Sequence, residues 1–67
     1  MGYQELYNQF LYHLGCSEEF KRLKEACAED PRAYFSYGEK ESEHKARAYH
    51  YRALLAQQFP GQIPMGF

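Results

Sequence analysis

EKESEHKARAYHYRALLAQQF, residues 39–59, is the stretch on which the fold turns. Glu41 precedes Lys45 and Glu43 precedes Arg47 by four positions, and alanine recurs at 46, 48, 53 and 56. Acid-then-base pairs at that spacing, together with alanine, favour a helix. Pro60 and Gly61 end it, so the spacing predicts a helix over residues 39–59. Placed on a wheel at about 100° per residue, its apolar side chains fall into two groups. Ala48, Tyr51, Leu55 and Phe59 share one side, and Ala46, Tyr49, Ala53 and Ala56 share a stripe on roughly the other. Lys45 and Arg52 run along one border, with Glu43, Arg47 and Gln58 along the second.

Upstream, Tyr3, Leu6, Tyr7, Phe10, Leu11 and Leu14 repeat at three and four residues, the mark of an amphipathic helix over residues 2–14. Gly15 reads as its left-handed terminator. Ser17 reads as the cap of a second helix over 17–29, with Glu18 and Glu19 at the positive end of its dipole. Phe20, Leu23 and Cys27 mark its buried stripe, and Lys21, Arg22, Lys24 and Glu25 stay in water. Asp30-Pro31 repeats the start signal, so residues 31–37 are helical. A break at Gly38 is expected, because glycine inside a helix costs about 1 kcal/mol and an acidic run begins at Glu39. The strand-like segments 34–37 and 49–51 are short and set in helical context. Residues 60–67, PGQIPMGF, form an apolar tail without charge.

The expected fold is therefore all-α: a single domain over 1–67 in which an antiparallel helical hairpin packs on a longer C-terminal helix, followed by an extended apolar tail. At 67 residues the chain has room for one modest core, since a domain near that size buries only about 60% of its unfolded surface. Disulfides, a metal or self-association commonly supplement so small a core. Aromatic residues make up 18% of the chain, with seven Tyr and five Phe, which argues against disorder and suits a half-wet interface.

Eight Lys and Arg against nine Asp and Glu leave a net charge of −1, so no global field draws the chain to nucleic acid or an anionic membrane. The start of the chain lacks a basic segment followed by an apolar core, and no apolar run approaches the roughly 20 residues of a membrane span. Cys16 and Cys27 would lie about 16 Å apart on one helix, too far for a disulfide. They read as two small buried hydrophobes in a reducing cytoplasm, the expected location.

Motifs for chemistry are sparse. His13 and Cys16 stand three apart, with Cys27 and His44 as distant completions, but structural zinc sites show two tight pairs. Glu41 and His44 form half of the Glu-x-x-His pattern of di-iron bundles, without the other carboxylates. His50 has no acid or nucleophile at fixed spacing. No catalytic, cofactor-binding or metal-binding residue is assigned, and no enzyme activity is expected.

The expected function is that of a small non-enzymatic protein–protein interaction module. It self-associates as a homodimer through the C-terminal helix or docks on a foreign protein as an accessory or regulatory factor. The partner-binding residues are Ala46, Tyr49, Ala53 and Ala56, because a helix in a simple bundle needs only one apolar face. Other covers for that stripe are the tail or plain solvent. The alternative is a nucleic-acid-binding helical domain that uses the basic cluster Lys21, Arg22 and Lys24, a reading the near-neutral charge disfavours.

Overall fold

The computed structural model describes residues 2–62. Asp30 begins the second half of the chain as the sequence leads one to expect: its Oδ1 accepts from the backbone N–H groups of Arg32 at 3.1 Å and Ala33 at 3.3 Å, and Pro31 takes the first helical position. The helix that starts there, α2 (Pro31–Gln58), runs 28 residues without interruption. The N-terminal half is likewise one helix, α1 (Tyr3–Ala26), of 24 residues. A four-residue connection, residues 27–30, reverses the chain, and a short 3-10 turn, Pro60–Gln62, follows α2. The result is a rod with extents of 44 × 17 × 14 Å. Among the described residues there is no strand.

The chain is thus all-helical, as expected, but the hairpin differs. It is formed by α1 and α2 themselves, with its turn at residues 27–30 in place of Gly15-Cys16. Neither glycine interrupts its helix, and no glycine among the described residues has a left-handed φ. Ser17 is not a cap: it lies mid-helix, 1% exposed, with its Oγ donating to the Leu14 carbonyl at 2.8 Å. Of the extended apolar tail expected over residues 60–67, the first three residues form the 3-10 turn and residues 63–67 lie outside the described residues.

The reason for continuity is the seam between the helices. On α1, Tyr3, Leu6, Phe10, His13, Ser17, Phe20 and Lys24 recur at alternating steps of three and four, and on α2 so do Tyr34, Tyr37, Glu41, His44, Ala48, Tyr51 and Leu55. Apart from Tyr34, all are buried or half-buried. This is the heptad of a coiled coil. A break at Gly15 or Gly38 would swing half of each series off the seam, at a cost above the ~1 kcal/mol of an internal glycine.

Register is fixed by Lys24 Nζ, 2.8 Å from Glu41 Oε1. Steps of seven from that pair place Ser17 level with Ala48 and Phe10 level with Leu55. The wet end of the seam is therefore ionic, the middle small and the open end apolar. Leu6, Phe10, Ala48 and Leu55 form the buried core, with Tyr3, Tyr7, Leu14, Tyr51, Leu54 and Phe59 packed against it. Phe59 meets Tyr3 edge-on at 5.4 Å.

Beside the small middle layer runs a column of rings drawn alternately from the two helices. Tyr51 stacks on His13 at 5.7 Å, His13 on His44 at 5.2 Å, His44 on Phe20 at 5.7 Å, and Phe20 on Tyr37 at 6.1 Å. Each offset-stacked pair adds about 0.5–1.5 kcal/mol beyond burial.

Helix continuity has a direct check. A Cβ on Gly15 would meet nothing within 4 Å, and one on Gly38 would touch Lys24 Cδ at an ordinary 3.5 Å. Gly15→Ala with Gly38→Ala is expected to stabilise the protein by about 1–2 kcal/mol in urea unfolding. Destabilisation by Gly15→Ala would place a left-handed turn there instead.

Candidate interaction site

In the antiparallel pair, the residues just outside the seam form two flanks. One flank takes Tyr7, Leu14 and Lys21 from α1 and Gly38, Lys45, Arg52 and Phe59 from α2, by their heptad positions. Toward the turn, Lys21 of α1 and Lys45 of α2 both act on the Glu41 carboxylate, which puts those two flank residues on a common side.

Toward the open end this flank carries apolar side chains from both helices, with half-buried Arg52 among them. Leu11 is 45% exposed and Tyr49 49% exposed. Tyr7, Leu14 and Ala56 are half-buried, and Ala46 and Ala53 are exposed. The four residues assigned to partner binding thus fall on the outer side of α2, with Tyr49 and Ala56 on this flank and Ala46 and Ala53 along its outer edge. The opposite group, Ala48, Tyr51, Leu55 and Phe59, packs on α1. What sequence reasoning missed is the contribution of α1: Leu11 belongs to the expected core stripe but projects outward. A strict heptad count, which excludes Leu11 from the seam, would have found it. Toward the turn the same flank becomes charged, with Glu18, Lys21 and Lys45 exposed.

Two cations of the basic cluster have partners within the hairpin. Arg22 is bound by Glu19, its Nε donating to Oε2 at 3.3 Å. Lys24 is not wet, as expected, but half-buried: it pairs with Glu41 and stands 5.4 Å from the Tyr34 ring centroid. The hydrogen bond to Glu41 raises the Lys24 pKa, and the same bond holds the Glu41 carboxyl below its ordinary value. Two of the three cations therefore already serve carboxylates within the hairpin. A lysine used this way closes the wet end of the seam, its stem covering apolar surface.

Of the residues weighed for zinc, the structure joins His13 and His44, whose Nδ1 atoms are 2.9 Å apart, and leaves Cys16 and Cys27 free and half-buried. The two thiols are less enclosed than the sequence reading has them. Among the described residues no three His, Cys, Asp or Glu side chains gather in metal-binding geometry. Nor is any described helix long and apolar enough to cross a membrane.

No family model, curated protein or solved structure matches this chain.

Proposed function

We propose that this chain is a non-enzymatic interaction module that pairs with a second copy of itself, two hairpins meeting through the apolar flank to make a four-helix bundle. What carries the reading is the set of apolar side chains that the heptad places on one flank of both helices, Tyr7, Leu11 and Leu14 on α1 and Tyr49 and Ala56 on α2, with Ala53 at its edge and half-buried Arg52 among them; Leu11 and Tyr49 are about half exposed. Among the described residues the helices bury one seam, and its core of Leu6, Phe10, Ala48 and Leu55 is small. Domains this small usually need a disulfide, a metal or an oligomer, and both cysteines are free.

A self-complementary flank favours a two-fold partner: the same patch serves both subunits, and a closed dimer leaves no copy of it open. The small alanines let backbones approach, while Leu11 and Tyr49 are anchors of the kind that concentrate binding energy. A net charge of −1 opposes pairing only weakly. The free thiols fit a reducing cytoplasm as the place of action.

Sedimentation or light scattering at micromolar concentration tests this. The wild type is expected to be a dimer. Leu11→Glu with Tyr49→Glu should give a helical monomer of lower melting temperature, while Gln57→Glu, an exposed position off the patch, should leave the dimer intact. A wild type that is monomeric and fully helical at the same concentration overturns self-association and turns the patch toward a foreign protein.

A further inference from the structure

Two histidines face each other across the hairpin where coiled-coil seams ordinarily hold apolar side chains. His13 of α1 is 8% exposed and His44 of α2 half-buried. Their Nδ1 atoms approach to 2.9 Å, a hydrogen-bond distance. An imidazole nitrogen either carries a proton or offers a lone pair. The contact therefore exists only when one Nδ1 donates and the other accepts. Both rings neutral satisfies this, and so does a single added proton on Nε2 of the ring whose Nδ1 donates. Two added protons do not, because both Nδ1 atoms are then donors and both rings carry positive charge.

The rings around the pair carry no negative charge, and Glu41, one turn from His44 on the seam, is already paired with Lys24. From α1, Tyr12 lies edge-on to His13 at 5.0 Å and to His44 at 6.5 Å, and Phe20 stacks on His44. From α2, Tyr51 stacks on His13. The charged groups that act on His13 are His44 and Arg47, and both oppose its protonation. Burial opposes it more strongly than either, so the His13 pKa lies below its ordinary value of 6.5. The neutral rings, by contrast, are held by stacking above and below and by the shared N–H···N bond.

We propose that the His13–His44 pair is an acid-sensitive latch in the seam: it holds α1 to α2 at neutral pH and releases the middle of the hairpin when the second ring is protonated. This goes beyond self-association, since the latch lies inside one hairpin. It nevertheless bears on the apolar flank, because Leu14 and Tyr49 sit on the same stretch of the two helices and their spacing follows the seam.

The sign follows from linkage. A histidine whose folded pKa is depressed binds fewer protons in the native state than in the unfolded one. Its stabilisation is complete above 6.5 and is lost as pH falls from there through the folded value. Per proton excluded, the unfolding equilibrium constant rises by up to about tenfold per pH unit within that window.

The test compares urea unfolding of the full chain at pH 7.5 and 5.5 for the wild type and for His13→Phe with His44→Phe, which keeps stacked rings but cannot titrate. His50 is exposed on the outer side of α2 and is present in both proteins. The expected result is a wild type whose unfolding constant rises several-fold or more on acidification, against a much smaller rise in the double variant. Histidine ring resonances followed by NMR in the wild type should show His13 taking up its proton below its ordinary value of 6.5. Should the double variant fail to fold, the NMR titration decides alone. Parallel pH dependence of the two proteins, or protonation of His13 at or above 6.5, overturns the latch.

Discussion

Leu55→Ala is expected to remove most of the protein's stability. Leu55 is 0% exposed and packs with Leu6, Phe10 and Ala48 at the open end of the seam. Truncating a buried leucine costs about 2–5 kcal/mol, the upper end applying where the site cannot collapse. A domain of this length has only about 3–10 kcal/mol in total. Two helices alone cannot close in from other sides, yet the thin seam also lets water reach the gap, so a loss of about 3 kcal/mol is the expected value. Circular dichroism should show helical signal falling at 25 °C and a melt without a cooperative upper baseline. Leu11→Ala, on the outer flank, serves as the control and should leave the hairpin folded. A Leu55→Ala protein that melts within a few degrees of the wild type would contradict the core as described.

Ala48→Leu is expected to be damaging for the opposite reason. Ala48 is 0% exposed and stands level with Ser17, itself 1% exposed, so both seam positions at this level are small and enclosed. Three added carbons have no space between the backbones. Overpacking of a dense core costs about 1–3 kcal/mol, and here the strain reaches both neighbouring layers, loosening the Phe10–Leu55 level and the ring column together. Thermal melts should show a clear drop in Tm. Ala48→Ser, which adds one atom and has Ser17 beside it, should be much milder. If Ala48→Leu instead raises Tm, the middle layer holds a void and the register set by Lys24 and Glu41 is wrong.

The two predictions bracket what could be read in advance. The start of α2 was legible because Asp30 and Pro31 act locally: a carboxylate accepting from the next two free N–H groups and a fixed φ need no tertiary partner. The division of α2 into an inner group, Ala48, Tyr51, Leu55 and Phe59, and an outer one, Ala46, Tyr49, Ala53 and Ala56, was legible because helical periodicity fixes which side chains share a face. Half of the candidate patch was visible for that reason. The other half, Leu11 with Tyr7 and Leu14, depended on knowing which side of α1 faces α2.

Gly15 and Gly38 misled because their cost is local and their compensation is not. Seen alone, Gly15 followed by Ser17 and two glutamates is a stop and a start. In the hairpin it is an exposed glycine opposite a seam that runs past it on both sides. The seam itself was hidden by its composition, since His13, Ser17 and Lys24 on α1 and Glu41 and His44 on α2 occupy positions where an apolar heptad would have announced itself.

Local sequence by itself determined that this chain is helical, where α2 begins and ends, and that α2 has two apolar sides, because capping, proline and periodicity operate within a few residues. Tertiary structure alone decided that the described residues form two α-helices rather than four, that Lys24 serves Glu41, and that His13 meets His44. Each of those depends on groups 17 to 31 positions apart coming together, and their mutual satisfaction outweighs the small local preference to break at a glycine.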